Sequence, residues 1–330
     1  MATGVSALMH FLVDGLCLCC MYLMMPFAHA SQILGIFLTY NVLAFLTQPL
    51  TGLAADHMKR PHWMLLASGT LLTLAVLLAA MARAIESLGA WSMTQAVVAT
   101  LLGIGNSLFH AWGGRQTAVR TGNDIRALGV FVSTGAMGLA VGMMFCSWGL
   151  LHGFVLALWL LAVVYVMLDE RSGKTSQASF MEESGVQTWN VGIERLLPTT
   201  VFGIVLSMVV LMTFVGLRSF VGESFASDIT KSRGIILVLG GAAMLGKMAG
   251  GWVARRLGLW KALGGVLVVA LACLFLRETG WTAVLLGIFA MNCTMPMTLY
   301  LANTVLRGRE GLAFGLLAAA LIPGYLLTMC

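Results

Sequence analysis

Long apolar runs separated by short polar turns make up most of the chain. A helix needs roughly 20 apolar residues to cross a bilayer, and eleven runs meet that length. No run alternates with a period of two, and lipid cannot satisfy open backbone groups, so every run is predicted to be helical. The predicted spans are 5–25, 31–54, 63–84, 90–112, 127–146, 149–168, 198–220, 232–254, 259–276, 280–305 and 310–328.

One long polar segment, Asp169 to Glu194, interrupts this pattern. It is rich in Ser, Gly, Lys and Glu, a composition typical of a solvated linker. It separates six spans from five. The chain is therefore predicted to consist of an N-terminal six-helix bundle at 1–170, a cytoplasmic linker at 171–197 and a C-terminal five-helix bundle at 198–330.

The composition excludes a soluble protein. Hydrophobic residues make up 59% of the chain and charged residues 10%, whereas a soluble domain carries about 25% charged residues. The net charge of +6 does not indicate nucleic-acid binding, because the cations lie in short loops between apolar spans. We therefore predict an all-α integral membrane protein whose surroundings are the lipid bilayer.

The lysines and arginines are distributed unequally between the two sets of loops. With the N-terminus inside, thirteen of the 19 lie on the inner side, five lie on the outer side, and Lys247 lies within a span. Cytoplasmic loops carry such an excess of Lys and Arg. We expect a cytoplasmic N-terminus, Cys330 outside, and residence in the plasma (inner) membrane. Met1 to Met25 lacks a basic n-region and is predicted to be the first span, not a cleaved signal peptide.

Motifs for catalysis or for bound cofactors are missing from the sequence. Six of the seven cysteines fall in apolar spans, where cysteine behaves as a small hydrophobic residue. We find no nucleophile–base pair, phosphate loop, haem motif or metal-ligand spacing. The sequence therefore predicts no enzyme activity, no cofactor and no metal site.

Two similar clusters each follow an apolar span. The first contains Gly52 and Asp56, followed by Lys59 and Arg60. The second begins at Gly251, 199 positions later, with Arg255 at the place of the acid and Arg256 beside it. The distance between the clusters is large enough for each to belong to its own half of the chain.

The first cluster resembles the loop between spans two and three of major facilitator superfamily transporters, whose pattern is G-x-x-x-D-R-x-G-R. Further segments resemble the fosmidomycin-resistance-type branch of that superfamily. They are Met9–Asp14, Tyr40–Asn41, Gln48–Pro49, Asn106–His110, Gly129–Gly138, Leu217–Ser219 and Arg309–Gly315. The resemblance implies two bundles related by a pseudo-two-fold axis and export of small molecules by proton antiport. The family has twelve spans, so the second bundle is expected to be one helix short.

Asp14 is the strongest candidate for a functional residue, because a charge in the middle of a span is costly unless it faces a polar interior. His10 lies four residues earlier, on the same helical face. A carboxylate beside a histidine can hold and release a proton near neutral pH. We expect the pair to face a cavity and to couple transport to protons, with Arg218 as the nearest counter-charge; a hydrogen-bonded packing pair is the alternative.

Other polar residues each have two interpretations. His110 and Arg115 at the end of span four could bind an anion or form an inner gate. In the alternative, His110 is an interfacial side chain and Arg115 belongs to the excess of cations in cytoplasmic loops. Arg218 could face the cavity or reach the outer headgroups. Lys247 is expected to reach the membrane interface. Asn41 is assigned to the cavity through the family resemblance.

Asp56 has a mechanical interpretation, since a carboxylate near a helix end can pair with cations or cap another helix. We expect it to hold the cytoplasmic side closed together with the other gate residues; an insertion signal with a tight turn is the alternative. The expected gate consists of Gly52, Asp56, Lys59, Arg60, Arg115, Arg255 and Arg256.

Together these features predict a secondary transporter that moves a small molecule by alternating access, a proton-coupled exporter. An integral membrane enzyme and a non-transporting sensor or assembly subunit are the alternatives. The expected partners are a small-molecule substrate, protons and lipid. We expect a monomer. A separate partner helix is the alternative, because eleven spans are predicted where the family has twelve.

Overall fold

The computed structural model describes residues 2–25, 30–85, 88–173, 200–226 and 233–327, and all regular elements among them are helices. The first half contains α1 (Ala2–Met24), α2 (Ala30–Asn41), α3 (Gln48–His57), α4 (His62–Ile85), α5 (Leu88–Arg120), α6 (Ile125–Met144) and α7 (Trp148–Gly173). The second half contains α8 (Val201–Ala226), α9 (Arg233–Leu257), α10 (Leu259–Phe275), α11 (Trp281–Val305), α12 (Glu310–Ala319) and α13 (Leu321–Leu327).

The predicted membrane helices are confirmed in number and kind. Within the described residues, nine helices are long and apolar enough to cross a bilayer, and two shorter apolar helices lie at Leu259–Phe275 and Glu310–Pro323. Their outward faces carry exposed apolar side chains, including Val201, Phe202 and Phe275, each more than three-quarters exposed. Such surfaces require lipid around them, so the protein is an integral membrane protein.

Several helix boundaries differ from the expected ones, among them the ends of α5, α7 and α8, which lie at Arg120, Gly173 and Ala226 in place of 112, 168 and 220. The span predicted to end at 112 continues as α5 to Arg120, because the polar residues after Trp112 pack inside the bundle, where Gln116 and Thr117 are buried. The last helix of the first half extends to Gly173, slightly into the predicted linker 171–197. The rest of that linker lies outside the described residues, so its predicted character stays a prediction.

The second span is not one regular helix. Between α2 and α3 the residues Val42–Leu46 form a π-helical turn, a feature that often occurs at functional sites. Pro49 follows in the first turn of α3, where a missing backbone N–H is tolerated. The wide turn changes the helix phase between Asn41 and Gln48, and both residues line the same cavity.

The two halves meet through two matching helix pairs. In the first interface α3 packs on α12, and in the second interface α9 packs on α6. The second span thus pairs with the eleventh, and the eighth with the fifth, as expected for a repeated arrangement. Both interfaces lie at one end of the molecule, which we call the Asp56 face. This end also carries the loops 58–61, 121–124 and 306–309 and residue 258.

Candidate functional site: a polar cavity between the halves

A cavity of about 480 Å³ lies between the two halves. Most of its wall is apolar, formed by side chains such as Phe37, Leu139 and Met295. Its polar side chains come from both halves, and they are His10, Asp14, Tyr40, Asn41, Gln48, Asn106, His110, Arg218, Lys247 and Thr298. A volume of this size with a few convergent polar groups is typical of a small-molecule site.

Asp14 lies at the centre of the polar wall and is buried. Its Oδ2 is 3.2 Å from His10 Nε2, and its Oδ1 is 3.4 Å from His110 Nε2. Asn106 donates its Nδ2 hydrogen to Oδ1 at 3.2 Å. The expected pair of His10 and Asp14 is thus part of a group of four, which includes two residues of α5.

Both imidazole rings are held by backbone carbonyls. His10 Nδ1 donates to the carbonyl of Phe131 at 2.7 Å, and His110 Nδ1 donates to that of Asn106 at 3.0 Å. A carbonyl can only accept, so each Nδ1 carries a hydrogen and each Nε2 is directed at Asp14. Gly135 makes this arrangement fit, because a Cβ there would overlap Asp14 Oδ2 and His10 Nε2.

The predicted counter-charge is not a direct partner of Asp14. Arg218 is 9% exposed and lines the cavity from α8. Its one hydrogen bond among the described side chains goes to Thr298 Oγ1 at 3.5 Å. Asp14 is held instead by the two histidines and Asn106, which already surround its oxygens.

Lys247 was expected at the membrane interface, and that expectation is wrong. Lys247 lines the cavity from α9 and also lines an adjoining cavity of about 440 Å³, as does Arg218. The reason is the packing of α9, whose glycines place it against α6 and α11 and turn this face inward. The second half therefore contributes two cations to the cavity.

At the first interface Asp56 binds across the halves. Its two oxygens accept the backbone N–H groups of Gly311 and Leu312, both at 2.9 Å, at the start of α12. The first N–H groups of a helix have no partner within the helix, so a carboxylate stabilises them. Arg115 Nε also donates to Asp56, at 3.1 Å. Gly52 allows this approach, because a Cβ there would overlap the Gly311 carbonyl.

The second interface repeats the geometry with different charges. A Cβ on Gly251 would lie 2.7 Å from the Ile125 carbonyl oxygen at the start of α6. Here Asp124 caps its own helix, accepting from Arg126 N at 2.9 Å and from Arg126 Nη2 at 2.7 Å. Burial raises the pKa of Asp124, but the Arg126 hydrogen bonds and the Arg126 and Arg255 charges outweigh it and hold that pKa below its ordinary value.

Not all expected gate residues take part in these contacts. Gly52, Asp56 and Arg115 meet at the first interface, and Arg255 acts at the second. Lys59, Arg60 and Arg256 are exposed and form no ion pair with the side chains that the structure describes. These three cations are better explained by membrane insertion than by a gate contact.

Several polar residues of the cavity were not assigned to it from the sequence. Gln48 is fully buried, its Nε2 donates to the Ala44 carbonyl, and its Oε1 has no partner among the described groups. Asn106 lies four residues before His110, and that spacing on a helix was the available signal. The grouping of His10, Asp14 and His110 depends on α1 meeting α5, which residue spacing does not show.

The fold is similar to that of solved transporter structures. The crystal structure of the E. coli fucose:proton symporter FucP matches with a TM-score of 0.66 and 13% identity over 98% of this chain and 89% of that chain. A bacterial homologue of the iron transporter ferroportin, in an outward-facing state, matches with a TM-score of 0.63 and 13% identity over 99% of this chain and 90% of that one.

No family model and no curated protein matches the sequence. At 13% identity the structural likeness shows the fold, which is the major-facilitator-like two-bundle fold predicted from the sequence. The fosmidomycin-resistance-type branch is not supported by these matches and stays a resemblance of motifs.

Proposed function

We propose that the protein is a secondary active transporter that moves a small molecule by alternating access. The observation that carries this proposal is the cavity between the halves, which contains a buried carboxylate and is closed at the Asp56 face by contacts between the halves. Rocking of the halves would break the contacts of Asp56 and open the cavity at that face. One structural relative is named as a proton symporter, which is consistent with this function.

We propose further that His10, Asp14 and His110 hold the coupling proton. In the neutral rings both Nε2 lone pairs face the Asp14 carboxylate, and only Asn106 donates to it. Lone pairs that face one another repel, so one proton shared among these atoms stabilises the group. A substrate that places a positive charge or a hydrogen-bond donor beside Asp14 then competes with that proton, which is the requirement for antiport.

The distribution of loop charges supports a proposed orientation and location. The Asp56 face carries the loops that are rich in Lys and Arg, so we propose that it is cytoplasmic and that the protein resides in the plasma (inner) membrane. The arrangement described here is then closed to the cytoplasm. Export would load the cavity from the Asp56 face and release the substrate on the other side. We also propose that the protein acts as a monomer.

The test uses everted membrane vesicles acidified inside, with a fluorescent dye that reports the pH gradient. A panel of small organic acids and amphipathic dyes is added in turn. We expect at least one compound to dissipate the gradient with the wild type and not with Asp14→Asn. Glu278→Gln is the matched control, because Glu278 is a largely exposed carboxylate outside the cavity.

Two outcomes would contradict the proposal. Consumption of a compound without flux would favour a membrane enzyme. Dissipation of the gradient by folded Asp14→Asn at the wild-type rate would remove Asp14 from the coupling step, while leaving transport itself standing.

A further inference from the structure

The group formed by His10, Asp14 and His110 has the arrangement of a metal-binding site. Each residue offers one ligand atom, and these atoms lie within 4.8 Å of one another. Both histidines donate Nδ1–H to a backbone carbonyl, which leaves Nε2 free as a ligand. Metal-binding histidines almost always donate their other ring N–H in this way, because that bond fixes the ring and raises its basicity.

The spacing of the Asp14 contacts fits ligands that share one metal ion. Ligands at about 2.0–2.2 Å from a tetrahedral ion would lie roughly 3.4 Å apart. The two contacts of Asp14 with the histidine Nε2 atoms measure 3.2 Å and 3.4 Å.

We propose that His10, Asp14 and His110 bind one divalent transition-metal ion of the zinc and cobalt class. Two imidazoles and a carboxylate suit these ions, and three protein ligands leave coordination positions free. All three residues line the cavity, so those positions face its interior.

The charges in the cavity determine what fills the free positions. Arg218 and Lys247 line the same cavity, and Asp14 is the one carboxylate among the described residues of its wall. A bare dipositive ion would add to an excess of positive charge, which is unfavourable in a site of low dielectric constant. The ligand is therefore the metal ion together with a small chelating anion, whose charge Arg218 and Lys247 balance.

This binding site goes beyond the proposed function and does not depend on it. Metal binding is measured on the purified protein in detergent, where no transport occurs. Loss of flux with intact metal binding would overturn the transport proposal alone, and the reverse result would overturn the metal site alone.

The experiment titrates the full chain with Co²⁺ and follows the visible absorption of the bound ion, first without and then with oxalate. We expect one equivalent to bind, and oxalate to tighten binding by about tenfold or more. His10→Gln and His110→Gln should each weaken binding by at least about tenfold. His152→Gln is the matched control, because His152 is an exposed histidine outside the cavity, and it should bind as the wild type does. Arg218→Gln should bind Co²⁺ alone and lose the effect of oxalate.

Thermal unfolding of each variant shows that it is folded. If a variant does not fold, X-ray absorption of Co²⁺ bound to the wild type replaces it, and two imidazole ligands are expected. No binding tighter than millimolar, equal weakening by His152→Gln, or a bound ion without imidazole would overturn the metal site. Weaker binding in oxalate, or an oxalate effect retained in Arg218→Gln, would overturn the chelate.

Discussion

The two interfaces between the halves share a backbone plan but place their acidic residue differently. At the first, Asp56 lies in one half and caps a helix of the other half, α12. At the second, Asp124 caps its own helix, α6, and the residue equivalent to Asp56 is Arg255. A cap across the halves links helix stability to closure of the face. A cap within one helix does not, so the second interface depends on packing and on the hydrogen bonds of Asn123 with α11. Asn123 accepts from Asn303 Nδ2 and donates to the Tyr300 carbonyl and to Thr304 Oγ1.

This comparison indicates which interface opens first. Separating α3 from α12 exposes two backbone N–H groups and one buried carboxylate at once. Once that carboxylate is hydrated, little polar attraction remains there. The second interface keeps its cap in either state. We therefore expect the first interface to act as the gate and the second as the hinge.

The largest expected effect comes from adding one methyl group at each close approach. Gly52→Ala places a Cβ on the backbone of Gly311, which cannot move aside, and should destabilise the protein by about 3 kcal/mol. Gly251→Ala meets backbone at 2.7 Å and should cost about 1–2 kcal/mol. Thermal unfolding in detergent measures both. Gly149→Ala is the control, since nothing lies within 4 Å of the added atom. Equal losses of stability in Gly52→Ala and Gly251→Ala would show that the two interfaces are packed equally tightly.

Asp56→Asn should selectively loosen the start of α12. Hydrogen bonds to a charged group contribute about 1.5–3 kcal/mol, so a loss of about 2 kcal/mol should speed amide exchange by roughly 30-fold. Hydrogen-exchange mass spectrometry of a peptide covering 310–319 measures this. The peptide covering the start of α6 serves as the internal control and should stay unchanged. Uniform acceleration of both peptides would indicate general unfolding in place of gate opening.

Asp124→Ala should produce the reciprocal and smaller effect. Loss of a helix N-cap costs about 1 kcal/mol, so exchange at the start of α6 should speed by roughly fivefold while 310–319 stays protected. Asp124→Asn should keep most of the protection, because asparagine caps equally well. Loss of protection in 310–319 would show that the second interface also gates.

The smallest expected effect is a pH dependence at Asp124. Its pKa is lowered in the folded protein, so its ionised form contributes stability above the unfolded pKa near 3.8, and that contribution is lost as pH falls through the folded pKa. The side chain is partly exposed, so solvent screening keeps the effect below about 1 kcal/mol. The difference in unfolding temperature between wild type and Asp124→Ala should shrink as pH falls below 4. A difference that grows would contradict this assignment.

Much of the fold could be predicted from the sequence because membrane spans are set by length and hydrophobicity. The eleven spans and the two-bundle fold follow from those properties and the repeated glycine clusters. The end of α5 was missed because residues 113–120 are polar enough to resemble a loop, yet most of them are buried against other helices. Hydropathy detects the contact of a helix with lipid and not its contact with other helices.

The site could be predicted only in part. Asp14 and His10 were found because a mid-span charge is rare and the pair is four residues apart. Lys247 was misplaced because side-chain direction depends on helix rotation, which follows from packing in α9. The pairing of Asp56 with Gly311 and Leu312 joins residues about 255 positions apart. No local pattern contains that information.

The most direct test of the account measures whether the Asp56 face opens. His57 and Arg307 are exposed on opposite sides of the first interface. Each is changed to cysteine and spin-labelled, in a background where the native cysteines are changed to serine. Double electron–electron resonance then gives the distance distribution between the two labels. The account predicts one short distance in the wild type and a second, longer distance in Asp56→Asn. One unchanged distance in both proteins from pH 5 to pH 8 would contradict it, because a face that never opens cannot provide alternating access.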